Sequence, residues 1–365
     1  MTKPTIVNAD CLDALRDLPD NSVHAVVTDP PYGLSNTDPK HVAETITRWA
    51  NGDREYMPTG KGFMNAAWDA FVPPVAVWGE CLRVLKPGGH MLVFAGSRTQ
   101  DLMGLSIRLA GFDIRDTIMW VHGNGFPKGQ DMGRRTGDDT WSGWSTALKP
   151  ANEPIIMARK PVEGSITGNV LVHGAGALNI DACRIPTDDN LQGVYTSGGM
   201  SRFGGFATVE RLREAAEQGG KCPNGEDARK NYERHLKNKG MLIGAPPGKG
   251  RYPANVILDG HAAEELDQQA NGDYAKYFYC AQASQKERPY VDGVAHPTVK
   301  PLKLMEYLVT LVTPPGGTIL DPFAGSGATI EAALNKGFDT IGIERETDYL
   351  PLIQARVNRA TNKGE

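Results

Sequence analysis

The chain has 365 residues and a formal net charge of −4, and its 40% hydrophobic and 22% charged residues are typical of a soluble globular protein of about two domains. No run approaches the roughly 18 apolar residues of a membrane span, and no signal peptide is recognised, so we expect a cytoplasmic protein. The five cysteines form no C-x-x-C pair, which argues against a zinc ribbon, a disulfide framework or another metal site.

The chain opens with a strand, an acid, a helix and a second strand. Residues 5–9 are predicted to form a strand that ends at Asp10, and apolar residues then recur at helical spacing over 11–18. The apolar run 23–27 is the next predicted strand. This order predicts a βαβ unit, with two parallel strands joined by a right-handed crossover.

The second strand runs into the sequence Asp29-Pro30-Pro31-Tyr32. Neither proline can donate a ladder hydrogen bond, so the strand must end at Asp29, at the edge where open α/β sheets bind ligands. There Asp29 and the Pro30 carbonyl can accept the two hydrogens of an exocyclic amine, while Tyr32 offers a stacking face to a planar heterocycle. A plain proline turn with a capping Asp accounts for the same four residues, so the motif needs support from the rest of the chain.

The next hundred residues continue as an α/β protein after a long connection. Residues 33–62 show little periodicity, which predicts a mobile loop that leaves from the candidate site. The elements predicted after it are a helix over 75–85, a turn over 86–89, a strand over 90–95, a helix over 98–110 capped by Gly111, and strands over 112–120 and 154–158.

Two insertions, 122–153 and 160–288, are too long to be connections inside a compact sheet, and we expect them to form a recognition region. Residues 221–251 hold eight Lys or Arg against three acids, an excess that suits contact with phosphates. A solvated, charge-rich helix explains that excess equally simply. The candidate DNA contacts are Lys128, Arg134, Arg135, Arg229, Lys230, Arg234 and Lys237.

The last seventy residues again alternate between helices and strands. A helix is predicted to follow residues 296–301, then a strand over 318–320, a turn from Asp321 to Gly327, a helix over 328–336, and a strand over 340–343 that ends at Glu344.

A strand, a glycine-rich turn, a helix and a second strand that ends in an acid form a nucleotide-binding half-unit. Glu344 lies 17 residues beyond Gly327, near the spacing at which such an acid takes both ribose hydroxyls. No Gly-Lys-Ser/Thr follows the turn, which excludes a P-loop. Asp321 places a negative charge where a pyrophosphate would lie and suits a cationic ligand better. A tight turn without a ligand stays an alternative. The two half-sites can meet if the order of the strands is circularly permuted, and Asp10 then lies beside Glu344.

Both motifs, in this order, resemble the permuted, beta-class DNA amino-methyltransferases, and the overall pattern is similar to adenine N6 methylases carried by phages and prophages. The resemblance covers about 1–160 and 275–358 and includes segments 8–12, 85–89, 149–154 and 296–301. It implies an α/β Rossmann-like class I methyltransferase fold, with a circularly permuted, seven-stranded, mostly parallel sheet that has one antiparallel strand. The implied domains are a catalytic half at 1–159, which includes insertion 122–153, a target-recognition region at 160–288, and an S-adenosylmethionine-binding half at 289–365.

The resemblance also implies roles for individual residues. Asp29, Pro30, Pro31 and Tyr32 are the expected catalytic residues. The expected S-adenosylmethionine site comprises Asp10, Cys11, Asp29, Thr298, Lys300, Asp321, Pro322, Phe323, Ala324, Gly325, Ser326, Gly327, Thr329, Glu344 and Arg345. Trp68, Asp69 and His296 are candidates for residues that support the pocket.

The expected activity is transfer of a methyl group from S-adenosylmethionine to the N6 amine of a flipped adenine in double-stranded DNA, with or without a paired restriction nuclease. Methylation of cytosine N4 is the first alternative. Methylation of RNA or of a protein amide, and a non-catalytic DNA-binding module that retains S-adenosylmethionine, are the others. The sequence does not decide between a monomer and a homodimer.

Overall fold

The computed structural model describes residues 2–35, 38–60, 62, 69–123, 125, 129–187, 213–215, 217–221, 227–237, 250–281, 289–291, 293–296 and 298–362. These residues contain a nine-stranded sheet in the order β1-β9-β8-β2-β3-β5-β4-β6-β7. Its strands are β1 Pro4–Asn8, β2 Val23–Thr28, β3 Leu85–Phe94, β4 Asp113–Val121, β5 Asn152–Arg159, β6 Val256–Asp259, β7 Tyr279–Ala281, β8 Thr318–Asp321 and β9 Asp339–Glu344.

The direction of the strands agrees with the predicted fold, but their number does not. β5 runs antiparallel to both of its neighbours, and every other neighbouring pair is parallel. The expected seven strands are wrong because β6 and β7 extend the sheet beyond β4. These strands have only four and three residues, too few for an alternating pattern to be recognised in the sequence.

Helices flank the strands along the chain. They are α1 Cys11–Arg16, α2 Pro39–Ala50, α3 Val75–Val84, α4 Gln100–Ala110, α5 Met132–Thr136, α6 Ile166–His173, α7 Ala228–Lys237, α8 Gly260–Ala270, α9 Leu302–Val312, α10 Ala328–Asn335 and α11 Leu350–Thr361. As predicted, Gly111 ends α4 in the left-handed conformation.

The predicted mobile loop over 33–62 is wrong in part, because it contains the twelve-residue helix α2. Asp38 accepts the N–H of Lys40 at the start of this helix, and Pro39 occupies its first turn. Trp49 is only 3% exposed and packs edge-on against Phe71. Val42, Ile46 and Trp49 recur at helical spacing and pack against the core. The sequence therefore contained a helical signal, but it was missed because the rest of the segment is polar.

The predicted turn over 86–89 lies inside β3. Val23 pairs with Leu85 and Ala25 with His90, so four residues of β3 face a single residue of β2. These Pro and Gly residues therefore indicate an irregularity within a strand rather than a connection between two elements. Sequence alone does not separate the two cases, because Pro and Gly are favoured both in turns and where a strand ladder is interrupted.

The predicted parallel pair of β1 and β2 is wrong in part, because the two strands are parallel but are not neighbours. β9 and β8 lie between them, and β1 pairs with β9 while β2 pairs with β8 and β3. Asn8 lies opposite Glu344 in this arrangement, which places the strand before Asp10 beside the strand that ends at Glu344. Two strands from the C-terminal part of the chain thus lie inside the sheet, between the first two strands of the sequence.

Helices cover both faces of the sheet, and β2 shows this most clearly. Val23 and Val26 belong to a core formed with α1, α3 and α4, whereas Ala25 and Val27 belong to a core formed with α9 and α10. Because both faces are buried, the edge where the parallel strands end is the part of the sheet that can meet a ligand.

The chain divides into two compact units. The first unit comprises Met1–Cys183 and Ala254–Glu365 and contains the whole sheet, and the second comprises Arg184–Pro253. The second unit contains α7 and an antiparallel bridge between Ile185 and Arg251. Within the described ranges, every helix is too short or too polar to cross a membrane.

Candidate active site

The two sequence motifs meet at the carboxyl ends of β2 and β8. The Thr28 hydroxyl donates a 2.7 Å hydrogen bond to Asp321 Oδ1, and both residues are buried. Because β2 and β8 are neighbouring parallel strands, Asp29 and the turn that begins at Asp321 leave the sheet side by side. The Asp29-Tyr32 segment and the glycine turn therefore adjoin each other, as the permuted order predicts.

Asp321 is a buried carboxylate held by neutral donors. Burial and, to a smaller extent, the nearby Asp29 charge raise its pKa to about 6. Hydrogen bonds from the hydroxyls of Thr28 and Thr329 and from the Phe323 N–H oppose this rise. The carboxyl is thus ionised at neutral pH but poorly stabilised, and a cationic ligand would lower its pKa.

Both carboxylate oxygens of Asp29 accept hydrogen bonds. Lys300 Nζ donates to Oδ2 at 2.6 Å, and the Tyr32 hydroxyl donates to Oδ1 at 2.9 Å. The Lys300 side chain is 8% exposed. Burial by itself lowers the pKa of Lys300, but the charges of Asp29 and Glu153 outweigh it and raise the pKa, so Lys300 is a buried cation.

Glu153 is a second carboxylate in this cluster, and the sequence analysis gave it no role. Its Oε2 lies 2.7 Å from the Tyr32 hydroxyl oxygen and 3.3 Å from Lys300 Nζ. Burial raises the pKa of Glu153, but Lys300 and the Tyr32 hydroxyl lower it by more. Burial and the two carboxylates raise the pKa of Tyr32 well above its usual value, so Tyr32 keeps its proton.

Strand direction explains why Glu153 was missed. Asp29, Asp321 and Glu344 lie at the carboxyl ends of parallel strands, where a ligand is expected. Because β5 is antiparallel, its first residues lie at the edge where the parallel strands end, and Glu153 is the second residue of β5. An acid at the start of the one antiparallel strand was the signal that could have identified it.

Asp69 holds the backbone that follows the two prolines. Its Oδ1 accepts the N–H of Tyr32 at 2.9 Å and that of Gly33 at 3.0 Å, and the Asp69 residue is 4% exposed. The Thr99 hydroxyl donates to the Tyr32 carbonyl at 2.7 Å. These contacts fix Tyr32 on both sides of its peptide and give Asp69 the supporting position expected of it. Trp68, the residue before it, lies outside the described part of the chain.

The turn after β8 brings the backbone close to the site. Gly325 and Gly327 have φ values of +51° and +81°, which residues other than glycine rarely adopt. The Gly327 N–H donates to the Ala324 carbonyl at 2.7 Å, and the Ala324 N–H donates to Ile343 in β9 at 2.9 Å. Pro322, Ser326 and Thr329 are buried, and the Phe323 ring packs against Trp78.

Glu344 lies at the end of β9 and is bound to this turn. Its Oε2 accepts the Gly325 N–H at 2.7 Å, and its Oε1 accepts the Glu346 N–H at 2.8 Å. Burial raises the pKa of Glu344, although these backbone donors oppose the rise. Each oxygen retains a lone pair, so the carboxylate can accept two further hydrogen bonds, the number that a ribose diol offers.

The predicted cofactor-binding residues near the end of β1 lie at the rim of the candidate site. Asp10 is exposed and caps α1 by accepting the Leu12 N–H at 2.9 Å. Burial and the Asp10 charge raise the pKa of Cys11 to about 12, so this thiol is not a nucleophile. Arg345 is exposed and forms an ion pair with Glu346.

His296 and Thr298 lie over the glycine turn. His296 Nδ1 is 2.5 Å from the Thr298 carbonyl oxygen, and the His296 ring packs edge-on against Tyr349. A Cβ atom at Gly325 would lie 3.0 Å from His296 Nε2, which shows how closely the two segments approach. Thr298 itself is exposed.

The candidate DNA contacts are exposed wherever the structure describes them. Arg134 and Arg135 belong to α5, and the Arg134 side chain is 91% exposed. Arg229 and Lys230 are exposed at the start of α7 in the second unit. Arg234 and Lys237 lie on the backbone of α7, but their side chains fall outside the described part, as does all of Lys128.

This edge of the sheet suits a cationic nucleoside. Three features follow one another along the β8–β9 edge: a buried carboxylate held by the neutral donors Thr28, Thr329 and Phe323, a turn whose glycines admit close approach, and an acid with spare acceptors. These residues therefore fit S-adenosylmethionine, the cofactor expected from the resemblance.

The chain is similar to proteins that modify DNA. The sequence profile of the DNA methylase family N6_N4_Mtase matches residues 23–355. The chain is 24% identical to Type II methyltransferase M.HindIII from Haemophilus influenzae over 380 aligned positions, which cover 93% of this chain and 90% of that protein.

Two solved structures of methyltransferases also align over nearly the whole chain. One is the M1.HpyAVI-SAM complex, with 16% identity, a TM-score of 0.45 and coverage of 97% of this chain and 99% of that one. The other is the cytosine-N4-specific PvuII DNA methyltransferase, with 13% identity, a TM-score of 0.49 and coverage of 99% and 91%.

Proposed function

The chain belongs to the DNA methylase family of S-adenosylmethionine-dependent N6 and N4 methyltransferases, and from this premise we propose that it methylates the N6 amine of adenine in duplex DNA. The hydrogen bond of 2.7 Å between Thr28 and Asp321 carries the proposal. It places Asp29, an acceptor for an exocyclic amine, directly beside the turn that suits the cofactor. An amine bound at Asp29 thus lies next to a methyl donor bound at the turn.

In the proposed cofactor site, Asp321 and the turn from Pro322 to Gly327 hold the methionine part. Glu344 holds the ribose, and Asp10 lies near the adenine amine, with Cys11 and Arg345 at the same rim. Thr298, Lys300 and Thr329 complete the site. When bound, S-adenosylmethionine supplies an electrophilic methyl group on a sulfonium centre.

The protein's own residues would act on the amine. Its lone pair is normally delocalised into the ring, and hydrogen bonds from its two hydrogens to Asp29 and to the Pro30 carbonyl favour a more tetrahedral nitrogen. Tyr32 stacks on the base and offsets part of the few kcal/mol that flipping costs. The proton that the nitrogen loses after methylation leaves to Asp29 or to water.

Adenine is preferred to cytosine because Asp rather than Ser opens the tetrapeptide. This choice follows the resemblance to beta-class, permuted enzymes, in particular those similar to phage and prophage adenine methylases. We further propose that residues 160–288 form the target-recognition region between a catalytic half at 1–159 and a cofactor half at 289–365. Arg229, Lys230 and their neighbours in α7 contact phosphates in this proposal, and a DNA substrate fits the expected cytoplasmic location. A homodimer is a further possibility to be tested by light scattering.

A direct assay tests the activity. Purified protein is incubated with duplex DNA and methyl-labelled S-adenosylmethionine, and the digested nucleosides are analysed by mass spectrometry. We expect N6-methyladenine from the wild type and none from Asp29→Ala. Asp273→Ala, a change at a side chain that is 72% exposed, is the matched control and should retain wild-type activity.

Other outcomes would support the alternatives. N4-methylcytosine as the only product would replace adenine by cytosine. Label in RNA or protein but not in DNA would overturn the DNA substrate. Binding of DNA and S-adenosylmethionine without any transfer would identify a non-catalytic module. Modification-sensitive long-read sequencing of DNA from expressing cells would then give the recognition sequence.

A further inference from the structure

Both oxygens of Asp29 already accept hydrogen bonds inside the protein, and these bonds affect how Asp29 can bind a substrate amine. The Tyr32 hydroxyl donates to one of its oxygens and Lys300 Nζ to the other, at 2.9 and 2.6 Å. A carboxylate has about four acceptor positions, so the amine does not need to displace both donors. An amine that binds at Oδ1 competes only with the Tyr32 hydroxyl, so a second acceptor for that hydroxyl favours binding of the amine.

Glu153 is placed to be that acceptor for both donors. Its Oε2 lies 2.7 Å from the Tyr32 hydroxyl and 3.3 Å from Lys300 Nζ, so the same two groups already lie between two carboxylates. The Tyr32 hydroxyl has one proton and can donate it to only one carboxylate at a time. The contact to Glu153, at 2.7 Å, is shorter than the contact to Asp29, at 2.9 Å, so the hydroxyl can donate to Glu153 and leave Asp29 Oδ1 to the amine without becoming unpaired.

The buried charge of Lys300 also favours a second acceptor. A lysine side chain that is 8% exposed depends on nearby anions, because an unpaired buried charge is strongly destabilising. Glu153 keeps an anion within ion-pair distance of Lys300 while Asp29 serves the amine. The Asp69 contacts to the backbone of Tyr32 and Gly33 hold Tyr32 in place, so the exchange needs only a change in hydrogen bonding.

We infer that Glu153 is a positioning residue for methyl transfer: it takes the Tyr32 hydroxyl and part of the Lys300 ion pair and so frees Asp29 to bind the target amine. The inference rests on the proposed function, because it assumes that Asp29 accepts a hydrogen bond from the amine. It assigns Glu153 no contact with the base or the cofactor.

A double-mutant cycle tests this role. Single-turnover methyl transfer to duplex DNA is measured for wild type, Glu153→Gln, Tyr32→Phe and the double variant. The neutral amide no longer balances the charge of Lys300, and it accepts the hydrogen bond of the Tyr32 hydroxyl more weakly. Both donors should therefore favour Asp29. We expect Glu153→Gln to slow transfer at saturating substrates by about tenfold or more, while the dissociation constants of S-adenosylmethionine and DNA change less than about twofold.

In the Tyr32→Phe background the hydroxyl is absent, so the same change should slow transfer by a clearly smaller factor. An unchanged rate for Glu153→Gln, equal factors in the two backgrounds, or a loss confined to cofactor or DNA binding would each overturn the inference. Glu264→Gln, at an exposed glutamate of α8, is the matched control and should behave as wild type. If Glu153→Gln does not fold, Glu153→Asp, which keeps the charge but shortens the reach, replaces it with the same expectations.

Failure of the proposed function gives a different result. If wild-type protein transfers no methyl group to DNA, the assay fails before any variant is compared. If wild type methylates DNA and the cycle shows no coupling, only the role of Glu153 is wrong.

Discussion

The Thr28 hydroxyl donates a hydrogen bond to Asp321 across 293 positions of the sequence. This one contact joins the strand that leads to Asp29 with the strand that leads to the glycine turn. It also stabilises the ionised form of Asp321 against burial and the neighbouring Asp29 charge, which together raise its pKa to about 6. The link between the two motifs is thus both structural and electrostatic.

Cofactor affinity should depend on the protonation of Asp321. Because its pKa is about 6, the carboxyl is ionised at pH 7 and becomes protonated as the pH falls below 6. Titration calorimetry should show a constant dissociation constant for S-adenosylmethionine above pH 7 and a rise that approaches about tenfold per pH unit well below 6. Asp321→Asn should bind more weakly and without this dependence. The same pH dependence in both proteins would contradict the assignment.

The same substitution should stabilise the protein when no cofactor is added. The pKa of Asp321 in the fold lies above its ordinary value of 3.8, so folding is penalised while the group is ionised in both states, by up to ~3 kcal/mol above pH 6. This penalty shrinks as the pH falls through 6 towards 3.8. We expect urea denaturation at pH 7.5 to give Asp321→Asn a free energy of unfolding about 1–3 kcal/mol higher than that of the wild type. This difference should disappear near pH 4. A destabilised variant at pH 7.5 would contradict this.

Substitutions at two glycines can distinguish the cost of backbone strain from the cost of close packing. Gly327 and Gly337 have nearly equal φ values, +81° and +80°, but a Cβ at Gly327 would lie 3.2 Å from Ile353 Cα, whereas a Cβ at Gly337 would meet nothing within 4 Å. Gly337→Ala should cost about 1 kcal/mol and Gly327→Ala clearly more, measured by thermal unfolding. Equal costs would mean that packing against Ile353 contributes nothing.

Loss of the Asp69 carboxylate should disturb the tetrapeptide. Asp69→Ala leaves the N–H groups of Tyr32 and Gly33 without this acceptor, at a cost of about 1–3 kcal/mol for each N–H that stays buried and unpaired. Urea denaturation should show that loss, and methyl transfer should slow because Tyr32 is no longer held. Asp69→Asn keeps an acceptor oxygen and should lose less on both measures. An equal loss in the two variants would argue against this role.

The exposed basic residues of α7 can be tested by the salt dependence of DNA binding. Each phosphate contact that is removed should reduce the slope of log Kd against log salt by about one. We expect Arg229→Ala and Lys230→Ala to lower the slope in fluorescence anisotropy titrations with duplex DNA. The control is Arg16→Ala, which removes an arginine of α1 that forms an ion pair with Glu55. Unchanged slopes in both α7 variants would exclude these residues as phosphate contacts.

The parts that sequence reasoning placed correctly follow from strong local rules. Two prolines follow Asp29 and stop β2, whose last residue is Thr28. Apolar runs bounded by glycine or an acid define β8, α10 and β9. The pairing of β1 with β9 was predicted from the order of the motifs, because a permuted sheet brings both half-sites together.

Most of the parts that it missed depend on tertiary structure. The helix α2 does not, because Val42, Ile46 and Trp49 recur at helical spacing, whereas the strands β6 and β7 have no length to show a period. Glu153 is informative only once β5 is known to run against its neighbours. Likewise, the bulge over 86–89 is a turn by composition and a strand by pairing.

The insertion of β8 and β9 between β1 and β2 has a consequence for biosynthesis. A nascent chain that has emerged only as far as α9 contains β1 and β2 but not the two strands that fill the space between them. The part of the sheet between β1 and β2 therefore closes last, after residue 344 has left the ribosome. Until then the unpaired edges of β1 and β2 are exposed to chaperones or to aggregation. Ribosome stalling after α9 should hence leave a protease-sensitive chain.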